Sequence, residues 1–457
     1  MTTPDLERSA EELQVSKPVS MLRAALCMLA SIGASSLAHA QGVRIVEPTG
    51  TANFATIQAA IDAAQNGDVI LVAPGVYSGF TIPYKALTIA ATSNSAVSVH
   101  GDVRILGLPT GNQVALVGFR VLGAFNALWI SNCTGNVLLQ DCAFANNYGN
   151  LPILEVTSSF SVAFVGCSAL KYFDSTYASL SGASDGLRSS NSAIAAYDCV
   201  FEGYDAWDDC DETVFDGGWG YRGEPGSFLF ASGTLARGGR GGLEWCHCGT
   251  PGVGGAGFSV DYAAELYLLG STAIAGPPMT NYCGVSAGSY PALFNQGGNL
   301  LSYPGAARKL GPRNAVISDN ADWSLSISGQ VGDRIYLPGN RVQGMRFMPS
   351  LFGVWLIGQP TEPGPLLGVV PSSGVLAAQK FIQDVPLPLT QRTIFSQVVA
   401  VDSAGKRILG PPTVRIVLNR ESGPDCNANG VQDYIEIIEG LVPDLNHNLI
   451  PDTCPGG

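Results

Sequence analysis

Charged residues are scarce in this chain of 457 residues, at 13%, whereas glycine (56) and proline (28) are abundant. Ordinary globular chains carry about 25% charged residues. A coiled coil or helical bundle is excluded, because such folds need charged outer faces and tolerate glycine and proline poorly. Disorder is excluded as well, since 46% of the residues are hydrophobic. The composition favours stacked short strands joined by tight turns, and the length favours more than one domain.

Positive charge is in deficit. The chain has 24 Lys and Arg against 37 Asp and Glu, a formal net charge of −13. This balance argues against nucleic acid and anionic membranes as partners, and leaves cations such as calcium or neutral glycans as the easier ligands. No segment after residue 40 approaches eighteen consecutive apolar residues, so we expect no transmembrane segment.

Residues 1–40 read as a leader that contains an export signal. From Met21, one Arg precedes an apolar stretch from Ala24 to Leu37, followed by Ala38-His39-Ala40 and then Gln41. This order is typical of a secretory signal peptide, with Met21 as the predicted start and cleavage after Ala40. We therefore expect the protein to be secreted, periplasmic or on the cell surface. Ten of the eleven cysteines would remain, an even number compatible with disulfides in an oxidising compartment.

A spaced apolar pattern repeats between about Val114 and Ala273. Each unit has two apolar residues two positions apart, then a small or aromatic residue three positions further, and a fourth residue two positions after that. A turn former directly precedes the third position. The third positions, with the turn formers before them, are Phe119 after Gly118, Cys142 after Asp141, Cys167 after Gly166, Cys199 after Asp198 and Ser271 after Gly270. The first three spacings are 23, 25 and 32 residues, and the last, 72 residues, predicts three further units of 24. Such a period without helical spacing indicates a solenoid of stacked strands.

The cysteines fall into two groups with different expectations. Phe119 and the cysteines at the third positions are predicted to form an interior column of packing residues, with a disulfide between Cys142 and Cys167 as the alternative. A second group, Cys246-His247-Cys248, suggests a metal, but a Cys-x-Cys pair cannot close a tetrahedral zinc site alone. Two disulfides that involve Cys210 and Cys283 are the better account.

The start of the repeat region carries a family resemblance. Phe54, Ile57, Ile61 and Ala64 recur at helical spacing and predict a capping helix, with Asp68 to Gly75 as the first rung strand. The whole segment FATIQAAIDAAQNGDVILVAPGVYSGFTIPYKALTIAA resembles the entry segment of right-handed parallel β-helix proteins of the pectin-lyase-like superfamily. That superfamily includes pectate lyases, pectin esterases and many exported repeat proteins without known activity. The resemblance covers about residues 43–305 and implies the fold.

Enzymatic activity is less well supported by the residues. The catalytic segments of pectin esterases are absent, and the nearest fragment, residues 198–208, departs from them at the catalytic positions. A uronide lyase needs carboxylates that hold calcium and a basic residue that removes a proton. Residues 202–216 contain seven acids and are predicted to leave the stack as a loop. The alternatives are a solvated acidic loop, which we favour, or a site in which one of four basic residues supplies the base: Lys171, Arg188, Arg237 or Arg240.

Aromatic and acidic residues on such a loop are also the type that binds sugars. The candidate carbohydrate-binding residues are Tyr204, Trp207, Asp208, Asp209, Trp219 and Tyr221. Past them, residues 307–419 alternate apolar and polar residues in short runs separated by turns, and contain no Cys or His. This pattern predicts a small antiparallel β-sandwich with an accessory or spacer role, and glycan binding is the alternative.

The tail, residues 424–457, contains the most specific motif. Residues 425–436 satisfy D-x-N-x-N-G-x5-E, in which a hard cation receives six or more oxygens. The predicted ligands are Asp425, Asn427, Asn429, the Val431 carbonyl, Asp433 and Glu436. A second loop lacks the glycine and the closing Glu, so we expect weaker binding by Asp444, Asn446, Asn448, Ile450 and Asp452. Local side-chain turns without a metal are the alternative.

The paired loops resemble the calcium-binding repeats of dockerins and of thrombospondin type 3 segments. The resemblance covers residues 425–454 and implies structural Ca²⁺, with Cys426 and Cys454 as a staple across the pair. Because dockerins anchor to partner proteins, protein docking through the tail is an alternative to a capping role.

The sequence thus predicts an all-β protein with a right-handed parallel β-helix (43–305), a small antiparallel β-sandwich (307–419) and a calcium-loop tail (424–457). Two functions remain. The first is an exported, non-enzymatic β-helix protein that binds polysaccharide and has a calcium-stabilised tail. The alternative is a calcium-dependent polysaccharide lyase acting on uronic-acid polymers. The first is preferred because no complete catalytic constellation is present.

Overall fold

The structure is a computed structural model. It describes residues 42–48, 54–92, 96–147, 151–171, 183–206, 215–243, 250–311, 314–358, 364–438, 441–446 and 450–455. The predicted signal peptide lies outside these residues. The predicted fold class is confirmed, because a parallel β-helix is followed by antiparallel sheets and a short tail. None of the described helices is long and apolar enough to cross a membrane.

Each full rung of the β-helix has one strand on each of three faces, which we call A, B and C. Face A is a parallel sheet of ten strands: Val43–Val46, Val69–Val72, Thr88–Ala91, Gln113–Val117, Asn136–Gln140, Val162–Val165, Ala193–Tyr197, Phe228–Ser232, Glu265–Leu269 and Asn299–Tyr303. Face B contains Phe119–Gly123, Ala143–Asn146, Ser168–Ala169, Val200–Glu202, Leu235–Arg237 and Thr272–Ile274. Face C contains Leu128–Ser131, Leu154–Thr157, Leu187–Ser190, Tyr221–Gly223, Phe258–Val260 and Leu293–Asn295.

Two long strands, Gly75–Pro83 and Val97–Leu106, join faces B and C in the early rungs. The second pairs with face B through residues 97–100 and with face C through residues 103–106. The two faces therefore belong to one parallel sheet that bends around the core. Alternate residues of every strand point inward, and the largest buried apolar cluster fills this interior.

The corner between faces A and B is built from the predicted turn formers. Gly118, Asp141, Gly166, Asp198 and Gly270 all have positive φ, between 53° and 81°. Such left-handed residues reverse the chain in one step, which favours Gly and, among other residues, Asp and Asn. The residues after them stack inside the helix, so the predicted interior column is confirmed.

Cys142, Cys167 and Cys199 in this column are buried free thiols, and the alternative disulfide between Cys142 and Cys167 is not formed. The Sγ of Cys142 lies 3.6 Å from the Leu116 carbonyl of the previous rung, and that of Cys167 lies 3.4 Å from the Leu139 carbonyl. The thiols therefore act as packing groups that donate weakly to the backbone of the rung before them.

The expectation of three units between Cys199 and Ser271 is wrong. Between Ala193–Tyr197 and Glu265–Leu269 the described residues contain a single face A strand, Phe228–Ser232, and its corner residue Gly233 is followed by Thr234 in the column. The two spacings are therefore 35 and 37 residues instead of 24. The reason is that the connections from face B to face C lengthen in these rungs, so the period is not constant.

The predicted capping helix at the N-terminal end of the β-helix is confirmed. The helix runs over Ile57–Ala63, and the Oγ1 of Thr56 accepts a hydrogen bond from the amide of Ala59 at 3.2 Å. Ile57 and Ile61 of this helix are buried in the β-helix core. The first rung strand is Val43–Val46, which precedes the helix and pairs with Val69–Val72. The expectation that residues 68–75 contain the first strand is therefore wrong, because they contain the second.

Residues 307–419 form three further sheets. The outer sheet contains Lys309–Leu310, Asp322–Ser328 and Val375–Phe381. The middle sheet contains Val316–Ser318, Arg334–Tyr336, Gly339–Asn340, Leu366–Val369, Gln391–Val401 and Arg407–Leu418. A hairpin of Gln343–Met348 and Gly353–Ile357 encloses the 3₁₀ turn Pro349–Leu351. The outer and middle sheets enclose their own core around Trp323, Ile327 and Ile335.

The middle sheet also covers the outer side of face A. A second apolar cluster joins outward residues of face A, such as Val117 and Phe230, to Val354, Phe395 and Val414 of the antiparallel part. Residues 41–457 accordingly form one compact unit. The domain limits at residues 305, 307, 419 and 424 remain predictions.

Candidate functional site

The first tail loop folds as a tight turn around the side chain of Asp425. Its Oδ1 accepts a hydrogen bond from the amide of Asn429 at 3.2 Å, and its Oδ2 accepts one from the amide of Gly430 at 2.8 Å. Gly430 has φ of 84° and Ala428 has φ of 54°, so the backbone turns sharply at both positions. The helix Asp433–Ile438 follows directly and carries the last predicted ligand.

The carboxylate of Glu436 is the buried centre of this loop, with only 3% of the residue exposed. It accepts hydrogen bonds from Nδ2 of Asn429 at 2.6 Å and from Nδ2 of Asn427 at 3.1 Å. In the described part of the chain these two amides are its only side-chain donors. The Oδ1 atoms of the same two amides accept hydrogen bonds from the backbone amides of Asn429 and Val431. Three predicted ligands are therefore hydrogen-bonded to one another.

Asp433 and Val431 complete the first set of predicted ligands. The Oδ1 of Asp433 accepts a hydrogen bond from the amide of Cys426 at 2.8 Å, and the residue is buried. The amide of Val431 donates to Oδ1 of Asn429 at 2.9 Å. These are the local side-chain turns that give the loop its shape.

The second loop repeats part of this frame. The amide of Leu445 donates a hydrogen bond to Oδ1 of Asp452 at 3.1 Å. In the first loop, the amide of Cys426 donates to Asp433 in the same way. The amide of Asp452 donates to the Pro443 carbonyl at 3.0 Å. Asp444, Asn446 and Ile450 lie on the same loop, and Asn448 lies outside the described residues.

A disulfide joins Cys426 to Cys454, with Cα atoms 5.8 Å apart. It links the two loops, as the sequence predicted. Asp433 is close to both sulfurs, but because they are bonded to each other they offer no thiolate to a metal. The tail is held to the rest of the protein by Tyr434 and Ile435, which are buried in the cluster shared with face A.

Face C carries a second candidate site on its outer side. Paired residues stack in register along it, one per rung: Arg104, Trp129, Glu155, Arg188, Arg222, Ser259 and Phe294. Two of the arginines form ion pairs with acidic residues. The Nη2 of Arg188 lies 2.8 Å from Oδ2 of Asp185, and the Nη2 of Arg222 lies 3.7 Å from Oδ2 of Asp261. The face is therefore polar and charged over several rungs.

An aromatic cluster forms at the C-terminal end of face C, beside its last strands. The ring of Trp219 lies 5.7 Å from that of Phe294 and 5.8 Å from that of Tyr290, both edge to face. The guanidinium of Arg222 lies over the Trp219 ring at 4.8 Å. The hydroxyl of Tyr290 donates to Oδ2 of Asp216 at 3.2 Å. We call Trp219, Tyr290, Phe294 and Arg222 the aromatic platform.

The other predicted carbohydrate residues lie elsewhere. Tyr221 is 1% exposed and stacks inside the helix, where its hydroxyl lies 2.9 Å from Oγ of Ser189. Tyr204 is half-buried and its hydroxyl donates to the Asn146 carbonyl at 2.6 Å. Trp207, Asp208 and Asp209 lie outside the described residues. Of the six, only Trp219 belongs to the aromatic platform.

The candidate basic residues for a lyase are engaged in other contacts. Lys171 lies 3.0 Å from Asp205, and Arg237 lies 2.7 Å from Glu202. Burial acts to lower the pKa of Arg188, but the charges of its acidic neighbours outweigh it and raise the pKa above the usual value. Arg240 contacts the sulfur of Met279 through Nη1 at 3.5 Å. Ion-paired cations of this kind are poor proton acceptors.

Sequence reasoning did not identify Tyr290 and Phe294. They are distant in sequence from Trp219, and only the stacking of the last three strands of face C brings them together. No local motif marks them, because a single aromatic residue per rung has no spacing signal. Cys283 is disulfide-bonded, as expected. Cys210, Cys246 and Cys248 lie outside the described residues.

Comparison with known proteins gives one distant similarity. The chain is 27% identical over 124 residues to a cell surface glycoprotein of the archaeon Methanothermus fervidus. The match covers 27% of this chain and 20% of that protein, so the chain spans a fifth of the relative's length. No protein-family model matches, and no solved structure gives a significant match.

Proposed function

We propose that this chain is an exported, surface-associated β-helix protein without catalytic activity, which binds an acidic polysaccharide at its aromatic platform and is stabilised by Ca²⁺ in its tail. The surface location is supported by the predicted signal peptide, by the similarity to a cell surface glycoprotein and by the disulfide between Cys426 and Cys454.

The aromatic platform is the observation that carries the binding proposal. Half-exposed aromatic rings offer apolar surface to the faces of sugar rings, and a nearby polar group fixes their orientation. Although the chain is acidic overall, Arg222 supplies a local cation beside Trp219. A uronic-acid carboxylate would meet both the ring and this positive charge, whereas a neutral sugar would meet only the ring.

Binding is tested by titrating uronic-acid and neutral polysaccharides into the purified protein by calorimetry. Trp219→Ala should weaken binding of the acidic polymer about tenfold, which corresponds to ~1.4 kcal/mol. Phe160→Ala is the matched control, since Phe160 is 50% exposed away from the platform. Equal binding by the two variants, or no binding by the wild type, would reject the proposal.

Ultraviolet absorbance, measured with the same polysaccharides, distinguishes binding from catalysis. A lyase would release unsaturated products that absorb in the ultraviolet when it is given a uronic-acid polymer and calcium. Since the basic candidates are held in contacts with other residues, we expect no such absorbance. Product formation would establish the alternative function.

The tail proposal rests on the motif of residues 425–436 and on the hydrogen bonds that hold Asn427 and Asn429 next to Glu436. Loops of this type in extracellular proteins bind Ca²⁺ with dissociation constants of about 10⁻⁴ to 10⁻³ M. Calcium would receive the Glu436 carboxylate and the amide oxygens, with Asp425 as a further ligand.

Calorimetric titration of the full protein with CaCl₂ tests this proposal. Glu436→Gln should abolish the uptake in the first loop, because it removes the bidentate carboxylate. Glu421→Gln, an exposed substitution just outside the loop, should leave the uptake unchanged. Wild-type protein that takes up no calcium would refute the tail proposal without affecting the platform proposal.

A further inference from the structure

The last rung of the β-helix is open at its outer edge. Its strands are Thr272–Ile274 on face B, Leu293–Asn295 on face C and Asn299–Tyr303 on face A, and each is the last strand of its sheet. Among the described residues, no strand pairs with their outer edges. The end therefore presents three rows of backbone N–H and C=O groups of the kind that rung stacking satisfies elsewhere.

The core is exposed at the same place. Leu293 stacks in register on Phe258, which is completely buried, yet Leu293 itself is 38% exposed. On the other two strands, Ala273 and Leu300 stack in register on the buried Ala236 and Leu266, and both pack against the core while remaining only partly buried. An additional rung would cover these side chains, as each earlier rung is covered by the next.

This end lacks the usual protection of strand edges. Natural sheets guard their edges with charged residues, proline or a covering element, and none of the residues in the three strands is charged or proline. At the other end of the β-helix, the helix Ile57–Ala63 packs against the core. In a chain of net charge −13, an uncharged end is the place where two copies can approach without repulsion.

We propose that a second copy of the chain covers this end, so that the protein forms a dimer through the last rungs of two β-helices. Because the N-terminal end carries its own cap, only like ends can meet, and the dimer is closed by a two-fold axis. A two-fold axis lets one strand pair antiparallel with its own copy. Asn299–Tyr303 offers the longest edge for this pairing, and Leu293, Ala273 and Leu300 close the two cores against each other.

Sedimentation velocity of the full protein over a range of concentrations tests the proposal. The wild type should be dimeric at micromolar concentration. Leu293→Lys should weaken the dimer at least tenfold, because it places a charge in the apolar contact. Val331→Lys is the control: Val331 is 63% exposed in a turn of the antiparallel part, and its substitution should leave the dimer intact.

A second substitution distinguishes loss of the dimer from misfolding of the protein. Ser302→Lys introduces a charge at an exposed polar position of the same end and should also disrupt the dimer while the thermal midpoint stays near that of the wild type. A monomeric wild type, a dimer that tolerates both lysines, or open-ended polymers would overturn the proposal. So would a wild type that stays monomeric and binds a different protein at this end.

Discussion

At the corner between faces C and A, Ala263 adopts a backbone conformation that costs free energy. Its φ is 60°, in the left-handed region, whereas equivalent corners use Asn132, Asn191 and Gly226. Left-handed φ costs about 1–2 kcal/mol for a residue with a Cβ, and glycine gives back part of this through its greater unfolded-state freedom. Ala263→Gly should therefore stabilise the protein by about 0.5–1 kcal/mol. The free energy of unfolding in urea measures the effect.

Gly226 provides the reciprocal variant. Its φ is 76°, and an added Cβ would lie 3.2 Å from Oδ1 of Asn191. Gly226→Ala should destabilise the protein by about 1–2 kcal/mol. If the two substitutions changed stability in the same direction, strain at this corner would not be the cause.

Lys380 is a second residue whose position in the folded protein costs free energy. Burial, together with the charge of Arg415, lowers its pKa from 10.5 to about 8. A depressed lysine pKa means that stability is greatest above the ordinary pKa and falls as the pH decreases towards 8. Below pH 8 the folded protein carries the whole penalty of the charged form.

Lys380→Met should remove this penalty. At pH 7 we expect a gain of about 1 kcal/mol, because solvent screens a group that is only partly buried. Between pH 8 and 10 the stability of the wild type should rise relative to that of the variant. Thermal midpoints measured at pH 7 and pH 10 check this, and an equal difference at both values would contradict it.

At the scale of the repeating element, the corners between faces A and B carry a hydrogen-bonded ladder. After Cys199 the column continues with Thr234 and Ser271, whose hydroxyls donate to carbonyls of the preceding rung at 3.4 and 3.0 Å. Sulfur and oxygen groups of similar size therefore occupy equivalent positions. This explains how the column tolerates a change from Cys to Thr and Ser in the longer rungs.

The buried thiols should be inert in the native protein. All four described free cysteines are at most 2% exposed, so a reagent cannot reach them in the folded protein, and burial also raises the pKa of Cys142 and Cys199. We expect Cys133, Cys142, Cys167 and Cys199 to resist iodoacetamide at pH 8 until the protein unfolds, and then to react fully. Mass spectrometry with and without denaturant measures this, and rapid native labelling at any of the four would contradict it.

The corner residues explain how much of the β-helix could be predicted. Gly118, Asp141, Gly166, Asp198 and Gly270 mark turns in the sequence, because few residue types adopt positive φ. The rung lengths could not be predicted, since they depend on how the connections between faces B and C pack. For the same reason the aromatic platform, which joins distant rungs, was found only in part.

Those connections contain closely packed glycines. The amide of Gly239 donates to the Gly218 carbonyl at 2.8 Å, and an added Cβ on Gly239 would lie 1.9 Å from the carbonyl oxygen of Tyr204. Backbones approach one another here without room for a side chain. Much of the glycine in the chain is thus explained by contact between neighbouring connections.

Gly239→Ala should be strongly destabilising. The clash is with backbone, so the connection has to move, and we expect a loss of about 3 kcal/mol or more. Gly288→Ala is the matched control, because nothing lies within 4 Å of its added Cβ, and its effect should stay within about 0.5 kcal/mol. Urea denaturation of both variants measures the difference, and similar stabilities would contradict the close-packing argument.

At the scale of the whole molecule, face A is apolar on both sides because it is covered on both sides. The strand Val162–Val165 is buried at all four positions, as is Val69–Val72. Polar contacts fix the docking: Oε1 of Gln140 accepts from the amide of Val414 at 2.9 Å, and the hydroxyl of Tyr197 donates to the Val354 carbonyl at 3.1 Å. The antiparallel part therefore has a structural role, since it covers a face that would otherwise be exposed apolar surface.

This shared core predicts that the β-helix and the antiparallel part unfold together. Phe230 points outward from face A, is completely buried, and lies 6.3 Å from the ring of Phe347. Phe230→Ala should cost about 3–5 kcal/mol and lower the temperature of the entire transition, because both parts lose the contact. Differential scanning calorimetry should show a single peak for the wild type and a single, lower peak for the variant. Two separate peaks, with only one moved by the substitution, would mean that the antiparallel part is independent of the β-helix.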